Sequence, residues 1–216
     1  MNLALFDFDG TITTGDTWTP FMRMAVRPGR LMAAQVLLAP VVVAYRMGMV
    51  SASRGREVAA RAGFVGVDAS SIRDLGAQYA ATVLPSVVRV SAFDRIAWHR
   101  ERGDHVIIVS ASLDAYLGPW CTQHNFDYIC TTLEERGGRL TGRYLHGDCA
   151  GAEKVRRIRE RFNLGQYTTI YAYGDSVEDR EMIELANKKF YRWQEISTWA
   201  EVSAFCHPSP IAHDRG

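Results

Sequence analysis

The chain has 216 residues, enough for one globular domain or for a core domain with a modest insertion. Hydrophobic residues make up 47% and charged residues 23%, the balance of a soluble protein with a real core. The net charge of +1 excludes a whole-chain electrostatic drive towards nucleic acid or anionic lipid, so any phosphate site has to be local.

Residues 3–8 form a short apolar run that ends in Asp-Gly, which predicts a buried strand. Asp7 follows the start too closely for a basic region and an apolar stretch, so no signal peptide is expected and a cytoplasmic location is. Residues 14–85 read as helical, with breaks at Pro28-Gly29, Pro40 and Gly63 to Gly66. Within them, residues 31–45 are almost wholly apolar between Arg30 and Arg46. That run is shorter than the roughly 20 residues needed to span a bilayer, and Pro40 interrupts it. It reads as a buried helical segment or as a contact with a membrane surface or lipid-like substrate.

Helices are predicted over 90–102, 113–124, 153–162 and 177–186, and strands over 105–109, 126–130 and 169–173. Gly137-Gly138 between two polar β-like runs predicts a hairpin within 131–144. Residues 207–216 read as a loose tail. Strands alternating with helices predict an α/β fold, a Rossmann-like three-layer parallel sheet core. The helical stretch after the first strand is too long for one crossover and reads as an inserted helical cap domain. The expected division is a core of 1–13 and 86–216 and a cap of 14–85. Cys121, Cys130, Cys149 and Cys206 form no C-x-x-C pair, so reduced thiols are expected rather than a zinc site.

Three predicted strands end in polar residues. Ligands bind at the carboxyl ends of the strands in an open parallel sheet, so Asp7, Ser110 and Asp175 are expected to converge. Asp7 and Asp9, two apart, lie on one side of an extended chain and can divide the labour between nucleophile or cation ligand and proton carrier. Gly10 then permits a tight turn beside a ligand. An EF-hand does not fit, because its glycine and glutamate positions fall on Ile12 and Trp18. Asp175 and Asp179 open a helix after an apolar strand. Near Asp7 and Asp9 they would build a negative cluster that Mg2+ would relieve. Ser110-Ala111-Ser112 suits a phosphate cradle. Lys154, in a first helical turn against the macrodipole preference, suits a site rich in carboxylates and phosphate. Each motif alone also reads as an ordinary turn, helix cap or solvated lysine.

In order, Asp-Phe-Asp-Gly-Thr, the strand-end Ser110, Lys154 and Gly-Asp-Ser-x-x-Asp resemble the four motifs of the haloacid dehalogenase superfamily. The helical insertion and the Leu-Thr-Gly-Arg hairpin at 140–143 resemble its phosphoserine-phosphatase-like subgroup. The resemblance spans about residues 3–190. It implies a Mg2+-dependent phosphatase in which Asp7 attacks phosphorus and Asp9 protonates the leaving oxygen and then activates water. It implies Mg2+ on Asp7, the backbone carbonyl of Asp9 and Asp175. Gly10, Thr11, Ser110, Ala111 and Lys154 would then bind phosphate, and Asp179 would position Lys154 or a metal-bound water.

Phosphoserine phosphatases usually carry Glu where Asp16 stands, and Gly and Asn where this chain has Ser176 and Glu178. The cap arginine for a substrate carboxylate falls among Arg54, Arg56 and Arg61. Substrate choice is therefore expected to involve Asp16, Arg54 or Arg56, with a small-molecule phosphomonoester other than phosphoserine as the main substrate and no nucleic-acid partner. Two further outcomes are compatible with these residues: transfer of the phosphoryl group to an alcohol, and action on a lipid phosphate resembling phosphatidylglycerophosphate. No G-x-G-x-x-G or G-x-x-x-x-G-K-[ST] is present, which disfavours a nucleotide-cofactor enzyme.

Overall fold

The computed structural model describes residues 1–30, 47 and 51–202. The apolar run 31–45, Cys206 and the tail 207–216 lie outside the described residues. The core is a six-stranded sheet in the order β3-β2-β1-β6-β7-β8. Its strands are β1 (Leu3–Phe6), β2 (His105–Leu113), β3 (Asp127–Thr131), β6 (Ile170–Gly174), β7 (Lys188–Tyr191) and β8 (Gln194–Ile196). All neighbours are parallel except the β7–β8 pair.

Period-2 alternation decides what each face of the sheet packs against. Leu3, Leu5, Ile107 and Val109 face one cluster with Ile158, Met182 and Ile183. Ala4, Phe6, Val106 and Ile108 face the other, with Ile96, Tyr116 and Trp120. The first helical layer thus holds α7 (Ala152–Arg161) and α8 (Arg180–Leu185), and the second holds α5 (Val90–Glu101) and α6 (Asp114–Gln123). Both faces are covered, so the central stretches 3–6, 106–109 and 170–173 are apolar, as a parallel sheet requires. The result is a three-layer α/β fold.

Between β1 and α5 lie α1 (Trp18–Ala25), α2 (Ala52–Phe64), α3 (Ala69–Thr82) and the short α4 (Leu84–Val87). Helix α3 rests closely on α6: a Cβ at Gly76 would stand 2.0 Å from the Ala115 carbonyl oxygen. The predicted hairpin is present as β4 (Leu133–Arg136) and β5 (Arg139–Tyr144), with Gly137 and Gly138 at positive φ in the turn.

Two local readings change. Strand β2 does not stop at Val109. It runs to Leu113 through a register shift against β3, so Ser110 lies in extended chain and helix α6 starts only at Asp114. The last two strands carry no sequence signal: Lys188-Lys189-Phe190-Tyr191 holds two lysines, and β8 is a three-residue edge strand.

Candidate active site

The register sets Phe6 beside Ile108 on one side and Tyr173 on the other, which brings the carboxyl ends of β1, β2 and β6 together. The Asp7 amide continues the pairing, donating to the Tyr173 carbonyl at 2.9 Å. The chain then turns sharply through Gly10, at φ +76°. A Cβ there would stand 2.2 Å from Asp175 Oδ2, so both the backbone angle and the close approach of Asp175 require glycine.

A cavity of about 550 Å3 opens over these strand ends. Lys154 is buried at its base and bridges two carboxylates: Nζ donates to Asp7 Oδ1 at 2.6 Å and to Asp179 Oδ1 at 2.5 Å. These charges hold the Lys154 ammonium in its protonated form despite the opposing effect of burial, and its pKa lies above the ordinary lysine value. Asp179 has a second task. Its Oδ2 accepts the amides of Asp175 and Ser176 and the Ser176 hydroxyl at 3.0–3.1 Å. One carboxylate therefore both caps the turn Val177–Asp179 and fixes the lysine.

Carboxylate oxygens of Asp7, Asp175 and Asp179 lie within 4.8 Å of one another. Burial, and then the Asp179 charge, raise the pKa of both Asp7 and Asp175. Among the described residues, the Thr11 hydroxyl, at 3.5 Å, is the side-chain donor to the Asp175 carboxylate. Three acids around one lysine, with one acid almost without donors, form a donor set that suits a hard divalent cation.

Asp9 sits apart from that cluster. Its Oδ1 accepts the Thr17 amide at 3.1 Å and the Thr17 hydroxyl at 2.5 Å, and its Oδ2 accepts the Ser112 hydroxyl at 3.0 Å. Burial pushes the Asp9 carboxyl up to about 6, against the lowering effect of these bonds. A carboxyl in that range exchanges protons near neutral pH.

The haloacid dehalogenase-like hydrolase family matches residues 4–184. The chain belongs to this family. It is 31% identical over 194 residues to protein CicA of Caulobacter vibrioides, covering 88% of this chain and 85% of that protein. Among solved structures, a Bordetella pertussis Tohama I protein of unknown function superposes with a TM-score of 0.74 at 24% identity, covering 88% of this chain and 89% of that one. A phosphoserine phosphatase, determined as a phospho-aspartyl intermediate analogue, has a TM-score of 0.59 at 18% identity and covers 94% of this chain and 98% of that one. The hydrolase thus shares the fold of the phosphoserine-phosphatase-like subgroup.

Most of the residues singled out in the sequence of this hydrolase line the cavity: Asp7, Asp9, Gly10, Ser110, Ala111, Lys154, Asp175 and Asp179, with Asp16 and Arg56 on the facing wall. Others do not. Thr11 is buried behind the turn, against Asp175. Arg54 is exposed and paired with Glu57, and Arg61 is also exposed, so of the three candidate arginines only Arg56 reaches the cavity. Asp16 accepts the amides of Trp18 and Thr19 at 2.9 and 3.2 Å, which caps the first turn of α1. Ser110 Oγ accepts the Ser112 amide at 3.1 Å. With α6 starting only at Asp114, no helix N-terminus directly follows Ser110.

Thr17 and Tyr116 were not legible in the sequence as site residues. Tyr79 donates to the Thr17 carbonyl at 3.0 Å, and the Tyr116 hydroxyl lies 3.2 Å from Thr17 Oγ1. Helices α3 and α6 thereby hold the residue that holds Asp9. Cys121, Cys130 and Cys149 are free and buried. No helix among the described residues is long and apolar enough to cross a membrane.

Proposed function

We propose that this hydrolase is a phosphatase that cleaves a small-molecule phosphomonoester, with Asp7 as nucleophile and Asp9 as proton carrier. The observation that carries this reading is the division between the two acids. Asp7 is tied by Oδ1 to the buried Lys154, and its Oδ2 has no hydrogen bond among the described residues. Asp9 is insulated from that cluster and poised near neutral pH.

Asp7 Oδ2 attacks phosphorus in line with the ester oxygen. The P–O ester bond breaks, and Asp9 gives its proton to the leaving alcohol. The resulting aspartyl-phosphate is opened by water, whose proton Asp9 takes back. Lys154 and Ser110 neutralise and orient the phosphoryl oxygens. Asp7 and Asp175, with the Asp9 carbonyl, are the ligands proposed for Mg2+, which would offset the charge gathered around the phosphoryl group. Residues 14–85 are proposed as the cap, because Asp16, Trp18, Thr19, Ala52, Gly55, Arg56 and Ala59 all face the cavity from this segment. A cap of this kind excludes water and reads the leaving group. A cytoplasmic setting fits three free, buried thiols.

The test is a hydrolysis screen over amino-acid, sugar, nucleotide and lipid phosphates with Mg2+, with and without an added alcohol acceptor. Release of inorganic phosphate that depends on Mg2+ and vanishes in Asp7→Asn supports the proposal. Full activity in chelator, or near wild-type activity in Asp7→Asn, contradicts it. A phosphorylated alcohol as the main product would make the enzyme a phosphotransferase.

A further inference from the structure

Among the described residues lining the cavity, the cations are Lys154 and Arg56. Lys154 is committed to the phosphoryl side by Asp7 and Asp179. Arg56, on α2, is the one that faces a leaving group, and it is already taken. Its Nε and Nη2 donate to Asp148 Oδ2 at 2.9 and 2.7 Å, and Nη2 also donates to Glu178 Oε1 and Oε2 at 2.9 Å. Two carboxylates against one guanidinium leave this group net negative. The partners differ in freedom. Asp148 is buried and held by the Thr131 hydroxyl at 2.9 Å, whereas the Glu178 side chain is 26% exposed at the cavity wall.

We infer that the substrates are phosphomonoesters of alcohols that carry no second anionic group, and that Glu178 enforces this by keeping Arg56 occupied. The inference rests on the phosphatase reading above and adds the substrate class. A carboxylate on the leaving group would give up its hydration to meet Glu178, the Asp16 carboxylate and the apolar surfaces of Trp18, Ala52 and Ala59, with no free cation among the described residues that line the cavity to receive it. A hydroxyl or an amine meets no such repulsion. Exclusion of the wrong substrate by an unpaired charge is a general route to specificity.

Two matched pairs isolate the carboxylate. Phosphoethanolamine and phosphoserine share the phosphoester and the amine; glycerol phosphate and phosphoglycerate share the carbon skeleton. kcat/KM is measured for all four, and for a generic aryl phosphate, with Mg2+, in wild type and Glu178→Gln. The wild type is expected to prefer the member without a carboxylate by about tenfold or more in at least one pair, and Glu178→Gln to narrow that gap by about tenfold through the KM of the carboxylated member. Equal or better turnover of the carboxylated members by wild type overturns the substrate class, and this outcome does not depend on the variant folding. A gap that Glu178→Gln leaves unchanged overturns the role of Glu178. Failure on the aryl phosphate as well would instead sink the phosphatase reading itself.

Discussion

Thr17 donates both its backbone amide and its hydroxyl to one carboxylate oxygen of Asp9, at 3.1 and 2.5 Å. These two residues are eight apart in sequence, and the turn through Gly10 folds one back onto the other. The pair fixes the rotamer of the proposed proton carrier and moderates the rise in its pKa caused by burial.

Thr17→Val keeps the shape of the side chain and removes the hydroxyl donor. The amide bond to Asp9 survives, so the fold should hold. The expected result is a fall in kcat of about 10- to 100-fold with a smaller change in KM, in line with the usual contribution of a positioned acid–base group. Steady-state kinetics together with a thermal melt check this. A fall in KM alone, or no kinetic change, would show that Thr17 does not position Asp9.

Lys154→Met removes the ammonium that separates Asp7 from Asp179. The variant leaves two buried acids facing each other without a cation. Breaking a buried charge cluster in this way typically costs about 3–5 kcal/mol. Urea unfolding without added metal should show a loss of this order, and turnover should be lost as well. A stability equal to wild type would mean that the ion pairs contribute nothing to holding the strand ends together.

His99, which does not line the cavity, gives a pH-dependent stability. It is fully buried, with Nδ1 2.9 Å from Asp104 Oδ2 and Nε2 2.9 Å from the Tyr173 hydroxyl. Burial lowers the pKa of His99; the Asp104 bond opposes this, and the charges of Arg95 and Arg102 reinforce it. The unfolded chain takes up the histidine proton near pH 6.5, while folded His99 takes it up only at lower pH. Below about pH 6.5 the unfolded state therefore binds more protons, and stability falls as pH falls towards the folded value. Asp104 adds a loss at lower pH, because the bonds from His99 and Asn2 outweigh its burial and hold its pKa below the usual value. Urea midpoints at pH 7 and 5.5 should differ in wild type, and His99→Gln should reduce the difference. An unchanged slope in His99→Gln would assign the acid sensitivity elsewhere.

The sequence made the loop after β1, the lysine and the acidic turn legible because each is a short contiguous motif at the end of an apolar strand or the start of a helix. The convergence of Asp7, Ser110 and Asp175 followed from the reading of parallel strands, whereas Lys154, on a helix, was joined to them only by the family resemblance. The contacts that position them were not legible. Thr17 reaches Asp9 only through a tight turn, and Tyr116 comes from α6, about a hundred residues downstream, while nothing in the spacing of either residue marks it. The resemblance implied that Asp179 would position Lys154, but that the same carboxylate also caps the turn with its other oxygen needed coordinates. Arg56 could be named as a candidate, but its two partners at 148 and 178 are far away in the chain, so its pairing with two carboxylates needed coordinates. The strands at 188–196 carry too few apolar residues to announce themselves.

The most direct measurement is acid quenching of the enzyme during turnover of a generic aryl phosphate with Mg2+, followed by peptide mapping by mass spectrometry. The proposed mechanism predicts one added phosphoryl group on the peptide that contains Asp7, labile to hydroxylamine and absent from Asp7→Asn. A phosphoryl group on any other residue, or none on an enzyme that is turning over and trapped before hydrolysis, would contradict it.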